Sequence, residues 1–571
     1  MPSLSPASIL LDPNDLQRTY GDERSAEIIA KTVAWFETRG KKRLLEAYNN
    51  AEWYDDFLTF IKDERIFASL CTPTGEGADD TAWNTWRNCE FAEVLGFYGL
   101  QYWYTWQVTV LGLGPLWMSP NDAMRKKAAE ALEDGGIFAF GLSEKDHGAD
   151  IYSSAMVLSP QDDGTYRANG SKYYIGNANA AAIVSVFGKL SDSGDYVFFA
   201  ADPQHPNYEL VRNVVHSQSY VAEFRLNDYP ITEADILHRG QQAWDAALNT
   251  VNIGKYNLGW GSIGICTHAF YEAIHHAAHR QLYKMHVTDF PHVQRLFVDA
   301  YSRLVTMKLF AARASDYLRA ASSGDRRYLL YNPMVKMKVT TEGEKVIDHL
   351  WDVIAAKGFE DRTHFAECAI SIRALPKLEG TVHVNIALII KFAANYFFQP
   401  DTFESVPTRD DAGNDDFLFD QGPTRGLSKI RFHDYKLAYE IFDTPNIRVF
   451  RAQIEAYRAM LMTCPPTAAQ GTDTDFLLAG GQLFAMVVYG QLFLENARLL
   501  EVDTDLVDQV FDVMVRDFSV YALELHNIAS ATDAQLAASL AMIAKPVRDT
   551  ARFDRIWGRV HAMRDRYEMQ P

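Results

Sequence analysis

The sequence lacks the features that would staple a chain, anchor it in a membrane or draw it to a polyanion. It has only five cysteines in 571 residues (Cys71, Cys89, Cys266, Cys368 and Cys464), scattered and never in a CxxC pair. This excludes a disulfide framework and a zinc knuckle, and fits a reducing compartment. No basic segment followed by an apolar run stands at Met1-Pro2-Ser3-Leu4-Ser5, so no signal peptide is expected. No stretch reaches the roughly 18–20 uninterrupted apolar residues of a membrane helix. The best candidate, from Asn385 to Phe398, is cut by Lys391. Basic residues are in deficit, 55 Lys and Arg against 74 Asp and Glu, for a formal charge of −19. That field repels phosphate backbones and argues against a nucleic-acid partner. There is no P-loop, no GxSxG elbow and no repeat of fixed period. The expectation is a soluble, cytoplasmic protein of about three to five folded units, at roughly 100–200 residues each, with a core needing no staples.

The texture of the chain changes along its length. Up to residue 137 the pattern is helical, with Gly and Pro breaks near 72–77 and 112–115. Ser119-Pro120-Asn121-Asp122 is a start signal for a short amphipathic helix. From residue 138 to about 241, short runs rich in Val, Ile, Phe and Tyr alternate with turn residues. Asp163-Gly164 and Asn169-Gly170 read as hairpin turns, which predicts an antiparallel β domain. Helical periodicity returns over 242–400, with 255–279 and 293–322 the clearest segments. An Asp-, Gly- and Pro-rich linker follows at 401–428, then further helices over 429–571.

Three motifs have ordinary readings. Gly259-Trp260-Gly261-Ser262-Ile263-Gly264 matches GxGxxG, but no strand precedes it, so its small residues read as a close helix–helix approach. His275 and His279 share a helical face, as metal ligands can, yet without an HExxH glutamate they read as a solvated face, and no metal is expected. The acidic stretch 410–416 has the composition of a calcium loop without its spacing or closing Glu, and reads as linker. The stretch 417–429 ends in Gly and cationic residues and reads as a structural loop.

Two segments resist an ordinary account. One is the junction 138–150, Phe-Ala-Phe-Gly-Leu-Ser-Glu-Lys-Asp-His-Gly-Ala-Asp, whose small and hydroxyl residues can offer backbone N–H groups to a flat polar ligand. The other is Leu378-Glu379-Gly380-Thr381, where a carboxylate stands beside Gly at a helix start, a pattern that a plain cap also produces.

In this order and spacing the two segments resemble the acyl-CoA dehydrogenase family over about residues 80–400. Gly-Leu-Ser-Glu-x-x-x-Gly-x-Asp (141–150) is similar to the family's first signature, Tyr166 to Ile175 to its β-domain strand, and Glu-Gly-Thr (379–381) to its catalytic loop. Gly264, Arg280 and Gly358-Phe359 also fall where the family pattern expects them. The resemblance implies an α+β multi-domain fold: an N-terminal α domain, a middle antiparallel β domain and a C-terminal four-helix bundle. The residues beyond 400 would form an extra helical domain, as in the very-long-chain branch and in acyl-CoA oxidases.

The resemblance implies FAD as cofactor and an acyl-CoA substrate, with Glu379 as the base that takes the Cα proton. It assigns cofactor contacts to Phe140, Gly141, Leu142, Ser143, Tyr174, Ile175, Gly176 and Thr381. Arg280 would serve the flavin of a neighbouring subunit, a role suited to a guanidinium facing pyrophosphate. Substrate contacts fall on Ala149, Asn252, Lys255 and Gly380. An electron-transfer flavoprotein is the implied acceptor, and a homodimer or homotetramer the implied assembly.

The departures concern the cofactor. Tyr174 stands where many members have Trp, Gly176 where many have a Thr hydroxyl bonded to flavin N5, and Ala149 where Ser is usual. Asp352 and Ala355-Ala356 replace a Gln and a Gly-Gly pair. An oxidase using O2 and a non-catalytic flavoprotein of the same fold therefore remain open alternatives.

Overall fold

The computed structural model describes residues 9–16, 22–408 and 415–570, so the extreme N-terminus and most of the acidic stretch 410–416 lie outside the described residues. The chain divides into two compact units.

The first unit holds residues 22–257 and 415–425. Its helices are α1 (Glu23–Asn49), α2 (Asp55–Asp63), α3 (Ile66–Cys71), α4 (Thr85–Tyr98), α5 (Leu100–Trp117) and α6 (Asp122–Glu133). Helix α6 starts where Asn121 caps it, its side-chain oxygen accepting the Met124 N–H at 3.1 Å. The break expected at 112–115 is absent, because α5 runs through it. A Cβ on Gly112 would sit 2.7 Å from the Ala139 nitrogen, so this glycine admits a strand against the helix. Pro115 removes one helical donor, and its own carbonyl accepts the ring N–H of His238 at 2.8 Å.

Eight strands follow: β1 (Ile137–Gly141), β2 (Val157–Pro160), β3 (Tyr166–Gly176), β4 (Ala181–Leu190), β5 (Tyr196–Ala201), β6 (Tyr208–Asn213), β7 (Val221–Ile231) and β8 (Ile236–Arg239). They pair in the order β6-β7-β3-β2-β4-β5-β8, with β1 added alongside β4. The sheet is mixed rather than antiparallel throughout: β1 and β2 both run parallel to β4. Turn residues reveal hairpins, whereas crossover connections leave no such mark, so the parallel pairs were hidden in the sequence. Asp163-Gly164 does separate β2 from β3, but Asn169-Gly170 is no turn; it lies inside β3, at a shift of register against β7. A Cβ on Gly170 would come within 2.9 Å of Met156 Cα, so the glycine serves a close backbone approach. Met156, Leu158, Val186, Phe199 and Phe224 form the core of this sheet.

Helix α7 (Gly240–His279) is continuous across the division at residues 257 and 258. The start of α7 holds the 417–429 segment: Thr424 N–H and hydroxyl donate to Asp245 at 3.1 and 2.8 Å, as befits a structural loop.

The second unit holds residues 9–16, 258–408 and 426–569. A short hairpin, β9 (Gln281–Leu282) with β10 (Met285–His286), precedes α8 (Pro291–Arg319), α9 (Tyr328–Met334), a π-turn (Val335–Val339) and α10 (Thr340–Ile354). Then come α11 (His364–Ser371), α12 (Val382–Ile389) and α13 (Ala393–Phe398). The later helices are α14 (Lys436–Tyr439), α15 (Pro445–Thr463), α16 (Thr474–Leu499), α17 (Thr504–His526), α18 (Asp533–Ala541) and α19 (Thr550–Ala562). Gly259 lies inside α7, where a Cβ would collide with Val335, so the GxGxxG stretch is a helix-packing seam.

The later helices are joined to α8 and α10 by buried charge. Arg303 bonds to Glu342 at 2.5 Å and to Asp517 at 2.7 Å, while Lys338 and Lys345 reach Glu342 at 2.7 and 3.1 Å. Burial opposes ionisation of Glu342, but the three cations hold its carboxyl well below the usual range. Arg313 pairs with Glu495 at 3.0 Å, and Asn496 donates to the Leu309 carbonyl at 2.8 Å. Among the described residues, α16 is long and apolar enough to cross a membrane, a run the sequence reading passed over. The most apolar stretch of α16 is 78% buried within the structure, as in a core helix.

Candidate functional site

Two groups of expected residues take shape, one in each unit. In the second unit the loop 378–381 joins a short 3-10 turn, Leu375–Lys377, to α12. Thr381 is the helix cap, its hydroxyl accepting the Val384 N–H at 3.5 Å, which leaves Glu379 no capping role. Glu379 instead adopts φ +51° and Gly380 φ +85°, two consecutive left-handed residues. For glutamate that conformation costs of order 1–3 kcal/mol, and it persists only where the surroundings hold it. The Glu379 side chain is half-buried, with Oε2 shielded from solvent.

The surroundings that hold it are two residues not singled out in the sequence. Lys336, at 0% exposure, donates from Nζ to the Pro376 carbonyl at 2.6 Å and to the Gly380 carbonyl. Asn385, also buried, donates to the carbonyls of Gly380 at 3.3 Å and Thr381 at 2.9 Å. Lys336 stands in the π-turn, three residues after Pro333 and its missing N–H; such turns recur at functional sites. The signal available was a lysine pair within an apolar segment, Met334-Val335-Lys336-Met337-Lys338-Val339.

In the first unit, Phe140 and Gly141 end strand β1 in buried positions, and Leu142 and Ser143 follow half-buried. The Leu142 N–H donates to the Phe140 carbonyl at 3.0 Å, and the Ser143 carbonyl accepts the Tyr173 N–H at 3.0 Å. Beneath this loop lies a buried ion pair. Lys172, at 0% exposure, donates to Glu144 at 2.7 Å and to the Leu142 carbonyl at 3.1 Å. Glu144 also accepts the Ser154 hydroxyl at 2.7 Å and the Ala155 N–H at 2.8 Å. Burial pushes Lys172 down to about 8, against the opposing pull of Glu144. Burial also works against ionisation of Glu144, but Lys172 and these donors hold its carboxyl below the usual range. Within β3, Lys172 and Ala168 are both buried positions of the strand.

Strand β3 bulges between Tyr173 and Ile175, and Tyr174 takes φ +62° there. The Tyr174 ring is 61% exposed on this rigid bulge. The Ile175 side chain belongs to the β core, so it has only backbone to offer a ligand. Gly176 is buried; a Cβ there would lie 2.6 Å from Tyr104 Cε1 and 2.9 Å from the Tyr104 hydroxyl oxygen.

Of the remaining expected residues, Ala149 is exposed, and Asn252 and Lys255 are buried on α7. Lys255 is therefore not an ordinary solvated surface charge. Arg280 is exposed just after α7, and the exposed Phe359 ring packs 4.9 Å from Trp351. Ala355, expected to depart from a glycine pattern, keeps a glycine-like backbone at φ +56° and ψ −137°.

Residues 241–394 match the family model of the acyl-CoA dehydrogenase C-terminal domain. The chain is 23% identical over 304 residues to a short-chain-specific acyl-CoA dehydrogenase of Megasphaera elsdenii, covering 52% of this chain and 78% of that protein. It is 21% identical over 374 residues to the very long-chain specific acyl-CoA dehydrogenase of Mus musculus, covering 62% of this chain and 55% of that protein. The crystal structure of an acyl-CoA dehydrogenase complexed with FAD from Bacillus anthracis superposes with a TM-score of 0.72 at 15% identity, over 97% of this chain and 96% of that one. Fold and sequence together define a multi-domain α+β scaffold of the acyl-CoA dehydrogenase type with a long helical extension. Over residues 241–394 the chain matches the acyl-CoA dehydrogenase C-terminal-domain family, and its fold is that of acyl-CoA dehydrogenases.

Proposed function

We propose that this protein is an FAD-dependent acyl-CoA dehydrogenase that introduces a trans-2 double bond into a fatty acyl thioester and passes electrons to a separate electron-transfer flavoprotein. The observation that carries the reading is Glu379, a carboxylate in a left-handed loop whose flanking carbonyls are fixed by Lys336 and Asn385. A general base has to be held within about 2.6–3.2 Å of the proton it takes, and an anchored loop supplies that.

The first unit fits a flavin. A rigid bulge presents the Tyr174 ring to solvent, and a loop set on a buried ion pair brings Ser143 to a partly open position. Bound FAD supplies the hydride acceptor for the Cβ hydrogen. In this reading Glu379 takes the Cα proton as the C–H electrons move toward the thioester, and by analogy with the family its backbone N–H would receive the negative charge growing on the thioester oxygen. Asn252 and Lys255, already desolvated, are the candidates for the carrier end of the substrate.

The test is anaerobic bleaching of the flavin by a panel of acyl-CoA thioesters of differing length. Glu379→Gln should keep FAD and still bind thioester, while bleaching slows by about 10²-fold or more. Undiminished bleaching in that variant overturns the assignment. An oxidase reading draws on Gly176, where the ring of Tyr104 fills the space of a side chain and alters the flavin surroundings. Peroxide yield measured against dye reduction decides between the two.

A further inference from the structure

The outer end of α7 and the turn after α19 bring together four side chains that the proposed reaction does not use. His275 and His279, one helical turn apart, have rings 4.3 Å between centroids. Asp565 Oδ1 lies 3.3 Å from His279 Nε2 and 3.9 Å from His275 Nδ1, and its other oxygen is held by Arg564 at 3.3 Å. The ligand atoms of His275, His279 and Asp565 are all within 4.8 Å of one another.

The protons of this cluster do not balance for neutral rings. His279 Nδ1 faces the His275 carbonyl at 2.8 Å, which only accepts, so Nδ1 carries the hydrogen and Nε2 turns a lone pair toward Asp565. His275 Nε2 lies 3.1 Å from Glu568, an arrangement satisfied when Nε2 donates. Its Nδ1 lone pair then meets the Arg564 carbonyl at 3.2 Å as well as Asp565. With neutral rings, two lone pairs and at least two oxygens thus converge on one spot, an arrangement that a cation or an added ring proton would neutralise.

We propose that this spot is a site for a divalent transition-metal ion of the zinc class, ligated by His275 Nδ1, His279 Nε2 and Asp565 Oδ1, with the Arg564 carbonyl beside it. Bonds of about 2.0–2.1 Å in tetrahedral geometry place ligand atoms about 3.3 Å apart, which the His279–Asp565 edge of 3.3 Å already meets and the His275–Asp565 edge of 3.9 Å would reach by a small closure. Two imidazoles favour zinc-like ions over Mg2+ or Ca2+. The second nitrogen of each ring donates to an oxygen, His279 to its helix and His275 to Glu568, which is how metal-bound imidazoles are usually oriented. The sequence read this pair as a solvated face because Asp565 and Glu568 arrive from a distant segment.

The experiment is a titration of the full-length, chelator-stripped protein with Zn2+, and with Co2+ followed by its visible difference spectrum beyond the flavin bands. One equivalent should bind, the cobalt spectrum should be that of a four-coordinate site, and Zn2+ should raise the melting temperature. His279→Ala and Asp565→Asn should lose that equivalent and the thermal shift, and Glu568→Gln should weaken binding about 10–100-fold. No uptake at micromolar metal, or uptake unchanged in both variants, overturns the site and leaves protonated imidazoles as the charge that balances it. If a variant misfolds, the cobalt spectrum of the unaltered chain decides alone: a six-coordinate, water-like spectrum also overturns the proposal.

Discussion

The ammonium of Lys336 donates to the carbonyl of Gly380, the residue that follows Glu379, and to that of Pro376, 2.6 Å away. One buried charge thus grips the loop on both sides of Glu379. Lys336→Met should leave thioester affinity nearly intact and lower kcat by about 10²-fold, the usual cost of misplacing a reacting group by about an ångström. Steady-state kinetics and the rate of anaerobic flavin reduction check this. A drop in thermal stability with unchanged kcat sinks the positioning role.

Gly176 leaves room that Tyr104 occupies. A β-carbon there would lie 2.6 Å from Tyr104 Cε1 and 2.8 Å from Val108 Cγ2. Gly176→Thr should therefore destabilise the fold by about 1–3 kcal/mol, as overpacking does. Adding Tyr104→Ala should cancel part of that loss, so urea midpoints of the double variant should exceed the sum of the single effects. Strict additivity would falsify the steric account.

The Lys172–Glu144 pair makes the junction loop sensitive to acid. The Glu144 carboxyl is held below its ordinary 4.5, so its contribution is complete above that value and is lost as pH falls through the lower, folded one. Lys172 titrates near 8 when folded against 10.5 otherwise, so stability also rises with pH between those two values. Glu144→Gln should flatten the acid limb of a melting-temperature profile. At pH 7 it should cost about 3–5 kcal/mol, because Lys172 is left without its carboxylate.

At Ala355 the backbone keeps a shape that suits glycine, φ +56° and ψ −137°. Ala355→Gly relieves strain of order 1–3 kcal/mol and forfeits about 0.4–1 kcal/mol through the freer unfolded chain. The expected result is a gain of about 1 kcal/mol by denaturant unfolding; a loss would show that the residue is unstrained.

Much of this was legible in the sequence, and the rest was hidden for definite reasons. The helical and β segments, the cap at Asn121 and the loop around Glu379 followed from periodicity, turn chemistry and family spacing. Asn169-Gly170 misled because glycine serves a close approach to Met156 as readily as a turn. The break read at 112–115 misled for a similar reason, since Gly112 admits a strand against a helix that continues. Lys336 and Lys172 were missed because a charge inside the fold looks, in one dimension, like a charge on its surface. Only the carbonyls and carboxylates brought to them by folding tell the two apart.

The ties from α8 and α10 to Asp517 and Glu495 bear on how short this protein can become. Cut after residue 408, the chain would retain Arg303, Lys345 and Arg313 but lose the acids from α16 and α17 that neutralise them. What survived would leave Arg303 and Lys345 to share Glu342, and Arg313 with Asp316 alone, on a greasy wall stripped of its cover, and would collapse or clump rather than stand as a compact fold. In this molecule the tail is part of the foundations, so length cannot be shed without first rewriting the helices beneath it.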